Sequence, residues 1–358
     1  RNLTPEQRAK YEAEGRKPTI RFRVPEDLDL TFNDLVRGEV HFESDGIGDF
    51  VIVKADGIPT YNYAVVIDDA LMHITHVIRA EEHLSNTPRQ LLVYDALGFE
   101  RPVFGHISLI LGKDKKKMSK RHGATSVDQY RQLGYLPHAL VNFLALLGWA
   151  PTDEQELFTT EELIKAFNMD HVAKNPAVFD IEKLNWINAH YMRQLSDDDY
   201  IALAIPHMKA AGFMTGEETG EKLDWLKKVI LTAKTQAEYG AQIPTHTAMY
   251  FNDEFDFETP EAKAVLAEET VPLVMQEFFV QLEAAPVLDG PTVKGIFKGI
   301  QKTHKLNGKQ VFMPVRVALT GNQHGPELVE MIPLLGKERT KKRIMASLTK
   351  AGVNLEGK

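Results

Sequence analysis

Cysteine is absent from all 358 residues. That excludes disulfides and thiolate-held metals, and it fits a reducing compartment. Long apolar runs are missing as well. No stretch approaches the ~20 consecutive apolar residues that a membrane-spanning helix needs, and no secretory leader pattern is visible. There is no internal repeat and no low-complexity segment. Methionine is missing from position 1, where Arg1 stands; of processing and excision from a longer protein, we favour the second.

What is present is ordinary for a globular protein: 43% apolar and 26% charged residues. The length predicts two or three domains with room for a sizeable core. The net charge of −8 hides an asymmetry, because residues 281–358 hold 13 Lys/Arg against 6 Asp/Glu, which leaves −15 on the rest. A basic end on an acidic chain suggests a local polyanion contact, although a solvated lysine-rich helix reads equally well from charge alone.

The patterning changes along the chain. Residues 4–16 predict a short helix capped by Thr4. Residues 19–24 and 37–54 alternate apolar and polar as half-buried strands do. Asp56-Gly57 reads as a hairpin turn between strands at 50–53 and 60–67. Residues 74–79 predict a strand, Thr87-Pro88 a helix start running to Leu97, and 103–111 an apolar strand. Strand, helix, strand and then a basic loop is the rhythm of an α/β sheet with chemistry at its strand ends. After Gly123 the period is helical: 137–147, 159–167 with a threonine cap, and 180–192. Ser196-Asp197-Asp198-Asp199 marks the start of a further helix and a domain boundary.

The sharpest chemical signal is residues 112–123, GKDKKKMSKRHG, with five lysines and an arginine inside nine positions. Such a loop repels itself unless an anion neutralises it. Ammonium groups on flexible stems suit a multiply charged phosphate that moves. A solvated basic loop or a localisation signal is the plain alternative. A second signal is the stripe Lys294, Lys298, Lys302 and Lys305, with Val293, Ile296, Phe297 and Ile300 on the other side, an amphipathic helix with a cationic face. Lys337, Arg339, Lys341, Lys342 and Arg343 form another basic cluster. Both suit a phosphate backbone, although any single lysine is as readily a solvated charge.

The order of residues narrows the choice. Lys117-Met118-Ser119-Lys120-Arg121 resembles the KMSK signature loop of class I aminoacyl-tRNA synthetases, and it follows an apolar strand as that loop does. The ordered set Asp56-Gly57-Ile58-Pro59-Thr60-Tyr61-Asn62-Tyr63, His76-Val77-Ile78-Arg79-Ala80-Glu81-Glu82-His83 and Thr87-Pro88-Arg89-Gln90 resembles the bacterial glutamyl-tRNA synthetase family. The resemblance extends from about Arg21 to the C-terminus and includes Phe312-Met313-Pro314-Val315-Arg316 and Pro333-Leu334-Leu335-Gly336-Lys337.

It implies an α/β then all-α fold. Residues 1–55 would be part of an inserted acceptor-end-binding subdomain, and 56–123 the C-terminal half of a Rossmann-like catalytic domain with the signature loop. Residues 124–195 would be a helical stem-contact domain and 196–358 a helical anticodon-binding domain. It also implies roles. Lys120 would contact the ATP phosphates and stabilise charge as pyrophosphate leaves, with Lys117 shaping the loop; these two are the catalytic candidates. Ser119, Arg121, Glu82 and His83 would complete the ATP site. Arg79 would bind a carboxylate of L-glutamate, for which a bidentate guanidinium suits, and Tyr61 would contact the same amino acid. For Arg79 the competing reading is a surface salt bridge, to Glu82 for instance, and for Tyr61 strand packing. Asp68 and Asp69 read as caps of the next helix, outside the site. Lys294, Lys298, Lys302, Lys305, Arg316, Lys337 and Arg339 would face tRNA(Glu). The implied small molecules are ATP with Mg2+, and the implied setting is a cytoplasmic, mostly monomeric enzyme away from membranes.

The chain departs from the family in one respect. Class I enzymes carry a second signature, His-x-Gly-His, and neither Gly105-His106 nor His122-Gly123 completes it. Matched by its motifs, Arg1 falls inside the inserted subdomain, where many bacterial relatives hold zinc with cysteines; with no cysteine here, no zinc site carries over. The expectation is therefore a piece of a ligase that is inactive by itself. Glutaminyl-tRNA synthetases end in β-barrels and glutamyl-queuosine enzymes lack the long helical end, so both fit less well. A non-catalytic tRNA-binding module is the alternative of a different class.

Overall fold

The structure, a computed structural model, describes residues 3–43, 46–119, 121, 123–124 and 126–355. The chain forms two compact units, each from two stretches: 1–125 with 141–180, and 126–140 with 181–358. Lys120 and His122 of the basic loop lie outside the described residues.

The first unit begins with helix α1 (Pro5–Ala13). Its start is the expected one: the Thr4 side chain accepts from the Gln7 amide while the Gln7 side chain accepts from the Thr4 amide. Strands β1 (Ile20–Phe22), β2 (Asp29–Asp34), β3 (Gly38–Glu43) and β4 (Phe50–Val53) follow. β1 and β4 pair antiparallel, and the Phe22 and Phe50 rings stack 5.2 Å apart. Strands β5 (His76–Ala80) and β6 (Val103–Ile107) complete a four-stranded sheet ordered β3-β2-β6-β5. β2, β6 and β5 run parallel, with Arg79 in register with His106. Parallel neighbours need a crossover, which helix α3 (Thr87–Leu97) supplies between β5 and β6. Its buried residues include Leu91, Val93 and Tyr94, which pack with Val66 and Phe104. β5 and β6 end in register at Ala80 and Ile107, while β2 ends at Asp34 opposite Phe104.

The predicted strand at 60–67 is wrong. Asp56-Gly57 does turn the chain: Asp56 Oδ1 accepts from the Ile58 amide, and Gly57 takes the left-handed φ of 85°. The return leg, however, stops at the Val53–Pro59 bridge. Thr60 then occupies the N-cap position of helix α2 (Tyr61–Leu71). The run is rich in β-branched and aromatic residues, so local propensity favours strand. Burial of Val66 in the α3 core overrides it. Asp68 and Asp69 consequently lie inside α2 and do not cap a later helix. The apolar stretch 103–111 is interrupted after Ile107. Its end is β7 (Ile110–Leu111), which pairs in parallel with β8 (Ala177–Val178). The helices expected at 137–147 and 159–167 form as Pro137–Leu146 and Thr160–Ala166, the latter capped by Thr159.

The second unit is helical. Ser196 caps the Asp197–Ala210 helix through the Asp199 amide, as its acidic start predicts. Towards the C-terminus the helices Val271–Ala284, Gly290–His304, Gly308–Thr320 and Leu328–Ala351 enclose one apolar core that includes Phe278, Phe297, Val315, Met331 and Ile344. The last helix breaks at Gly336, whose φ of 76° and ψ of 167° are non-helical. The Trp225 indole N–H donates to the Leu334 carbonyl beside the break at 2.8 Å. Lys337, just past it, donates to the Glu283 and Ala285 carbonyls at 2.9 and 2.6 Å. Arg343 is 1% exposed. It donates to the carbonyls of Leu319, Met249 and Asn252 and lies 4.4 Å over the Phe255 ring.

Candidate active site

The signature loop folds back on its own strand. Gly112 and Lys115–Lys116 close a tight turn through the bonds Gly112 N to Lys116 O and Lys115 N to Gly112 O. Leu111 then bridges Lys117, and the Met118 amide donates to the Ile110 carbonyl. This reversal returns Lys117 to the end of β5. There its ammonium meets Glu82 at 2.6 Å, with both side chains largely exposed. The Lys117 hydrogen bond holds the Glu82 carboxylate below its ordinary range. Arg121 pairs with Asp114 across the loop at 3.2 Å. Ser119 is exposed.

Glu81, the first residue past β5, fastens the root of this loop. It accepts from the Leu109 amide at 3.1 Å and pairs with Arg37, which follows β2. The 3-10 turn Glu81–Asn86 carries Glu82 and His83. The His83 ring lies 6.1 Å from that of Tyr61. Tyr61 is the first residue of α2, 53% exposed, so it does not pack in a strand. Its hydroxyl lies near enough to the Arg79 guanidinium to favour the charged form of that group. Lys117, Glu82, His83, Tyr61 and Arg79 therefore share one neighbourhood at the ends of parallel strands, where sheets of this kind place ligands.

Arg79 is half-buried and heavily engaged. Its Nε donates to His106 Nε2 at 3.2 Å, and its Nη2 to Thr87 Oγ1 and Gln90 Oε1 at 2.9 and 2.8 Å. Gln90 is itself oriented by donation to Asn62 Oδ1 at 3.0 Å. Burial pulls the guanidinium below its usual value, against Tyr61 and Asp69, which favour the charge. A guanidinium remains charged in water regardless. Nε is committed to His106 and both Nη2 protons to Thr87 and Gln90, so neither bidentate edge of the guanidinium is open and only the Nη1 N–H groups remain for a ligand carboxylate, which corrects the simplest picture of an open fork. The alternative of a surface salt bridge with Glu82 is not what forms: Glu82 takes Lys117 instead. Burial raises the Asp69 carboxyl, and the Arg79 charge opposes that shift.

Behind Arg79 lies a buried pair that no sequence pattern indicated. Asp34 and His106 are 2% and 0% exposed, and His106 Nδ1 is 2.6 Å from Asp34 Oδ2. A lone aspartate in a strand and a lone histidine in VFGHI carry no spacing signal. Only the fold brings them together.

The basic C-terminal residues divide in two. Lys294, Lys298 and Lys302 stand exposed on the Gly290–His304 helix, opposite buried Val293, Ile296, Phe297 and Ile300, and Lys305 ends that helix with a left-handed φ of 53°. The others are internal fasteners. Arg316 donates to the Pro326 carbonyl at 2.7 Å, Lys337 to Glu283 and Ala285, and Arg339 to Asp253 and the Tyr250 carbonyl, both at 2.5 Å. The second cluster thus has structural partners within the unit.

Residues 1–186 match the family of class I tRNA synthetases (E and Q), catalytic domain, and residues 199–348 match an anticodon binding domain. A glutamate–tRNA ligase from Desulforamulus reducens is 56% identical over 97% of this chain and 72% of its own length. Another from Bacillus subtilis is 49% identical over 96% of this chain and 71% of its own. The crystal structure of a glutamate tRNA ligase from Elizabethkingia meningosepticum, in complex with its amino acid, superposes with a TM-score of 0.82 at 30% identity. That match covers 97% of this chain and 71% of the other.

Proposed function

This chain belongs to the glutamate–tRNA ligase family of class I aminoacyl-tRNA synthetases, and from that premise we propose how its residues serve that reaction. A carboxylate oxygen of L-glutamate attacks the α-phosphorus of ATP, pyrophosphate leaves, and glutamyl-adenylate forms. The 3′-terminal ribose hydroxyl of tRNA(Glu) then displaces AMP from the acyl carbon. The observation that carries the assignment is the Lys117–Glu82 ion pair, which puts the cationic loop beside the Tyr61 and Arg79 pocket.

Lys117, Ser119, Lys120 and Arg121 form the phosphate-binding set, with Lys120 serving the leaving pyrophosphate. A charged donor used mainly in the transition state accelerates the chemistry rather than only tightening binding. Glu82 and His83 border the nucleotide. Tyr61 and Arg79 hold glutamate. Mg2+ enters with ATP, since this ion is held largely by substrate phosphates and water rather than by a protein cage. Residues 1–55 hold part of the acceptor-end subdomain, 56–123 the catalytic half-domain, 124–195 the stem contact and 196–358 the anticodon contact. The working form is a cytoplasmic monomer.

The test is glutamate-dependent ATP–pyrophosphate exchange. A full-length ligase carrying this sequence is expected to exchange with glutamate and not with glutamine. The 358-residue chain alone, which has no His-x-Gly-His element, is expected to give background. Exchange driven by another amino acid, or robust exchange by the chain alone, contradicts the reading.

A second measurement addresses the helical unit. Replacing Lys294, Lys298 and Lys302 together by glutamine is expected to weaken tRNA(Glu) binding. It should also flatten the slope of log Kd against log salt by roughly 0.7–0.9 for each phosphate that no longer has a lysine to neutralise it. Unchanged affinity and slope would return the stripe to being a solvated face.

A further inference from the structure

The buried Asp34–His106 pair has more order than a filled core requires. Asp34 Oδ1 accepts three backbone amides, those of Val36, Arg37 and His106, at 2.9, 2.9 and 3.1 Å. Its other oxygen faces His106 Nδ1. Burial works to raise the Asp34 carboxyl, but the His106 side chain and the three amides outweigh it and hold the group below its usual range, as an anion. A carboxylate can only accept, so Nδ1 must carry the imidazole proton. Burial also holds His106 below its ordinary value, against the pull of Asp34, so the ring is neutral near pH 7. Nε2 is then bare. Its neighbours are the Nε of Arg79, which can only donate, and the hydroxyl of Thr87 at 3.1 Å.

The chain of polarity therefore has one direction, from Arg79 through His106 to Asp34. The opposite tautomer would fill the same space and leave the core equally packed. It would set one N–H against another at Arg79. We propose that Asp34 and His106 are positioning residues of the amino-acid pocket: Asp34 fixes the tautomer in which His106 accepts from Arg79, and the guanidinium is thereby aimed at the substrate carboxylate. The proposal rests on the assignment of Arg79 to that pocket.

Asp34→Asn isolates the device. The amide oxygen has to sit under the three backbone N–H groups, which turns its NH2 towards Nδ1. The imidazole proton then moves to Nε2 and confronts Arg79. In nitrogen-15 NMR of the 358-residue chain, His106 is expected to be protonated at Nδ1 and bare at Nε2, with the pattern reversed in D34N. A proton on Nε2 in the unaltered chain, or no change in the variant, overturns the proposal.

Kinetics in a full-length ligase carrying this sequence give an independent reading. D34N is expected to raise KM for glutamate about tenfold, the scale of one charge-assisted hydrogen bond, with KM for ATP within about twofold. His106→Gln places its carboxamide where Nε2 was and can still accept from Arg79, whereas His106→Asn reaches only the Nδ1 position. H106Q is therefore expected to keep glutamate affinity better than H106N; equal or inverted ranking overturns the proposal, since a packing role would not separate them this way. Arg79→Ala separates the two levels. If it leaves glutamate KM unchanged, the pocket assignment itself fails. If it acts strongly while D34N and both His106 variants do not, only the positioning role fails.

Discussion

Arg79→Ala, introduced into a full-length ligase carrying this sequence, is expected to lower kcat/KM for glutamate by roughly 100-fold, as losing two charge-assisted hydrogen bonds should. The loss has two sources. The substrate carboxylate loses its counter-charge, and Thr87, Gln90 and His106 lose the group they converge on. Arg79→Lys is not expected to recover it, because an ammonium cannot bond His106, Thr87 and Gln90 at once and still present free N–H groups to a ligand. KM for ATP should change little, since the phosphates are served by the loop. Initial rates of pyrophosphate exchange across a glutamate series measure this directly. A loss below threefold would remove Arg79 from the pocket.

The largest expected stability effect lies in the helical unit. Arg343→Ala should destabilise it by roughly 3–5 kcal/mol, the range for removing one member of a buried charged network. Arg343 is almost fully buried, and burial pulls its guanidinium down to about 10, so it remains protonated at neutral pH. It supplies donors to carbonyls from two separate stretches, Leu319 at the end of one helix and Met249 and Asn252 in the preceding turns. Without it the carbonyl of fully buried Leu319 loses its donor, and the space over Phe255 empties. Arg343→Met fills the volume and should still lose most of that stability. Denaturant unfolding followed by the fluorescence of Trp225, which packs against the same core, reports the change. A cost under about 1 kcal/mol would show that water replaces the guanidinium.

Much of the fold was legible because capping and periodicity agreed. Thr4, Thr159 and Ser196 start helices where their sequence context says they should, and Thr87-Pro88 opens α3 and Leu97 closes it as expected. The error at 60–67 arose where propensity and packing disagreed, and one buried face decided for helix. The site divides similarly. Residues in contiguous motifs, Tyr61, Arg79, Glu82, His83 and Lys117, are found together. Asp34 and His106, 72 positions apart, are invisible to any local pattern. The basic tail shows the same limit. Charge can be counted in a sequence, but whether a cation meets a carbonyl or open water depends on which helices pack beside it.

The bend at Gly336 bears on how the helical unit can respond to a load. A glycine that interrupts a long helix is the usual place to look for a pivot. Here the residues on both sides are tethered: Leu334 to the Trp225 indole, Lys337 to the end of the Val271–Ala284 helix, Arg339 to Tyr250 and Asp253. Flexing at that point would break all of these bonds together. The elbow is welded, so force applied to the lysine-bearing helix is transmitted through the unit as through a solid bracket.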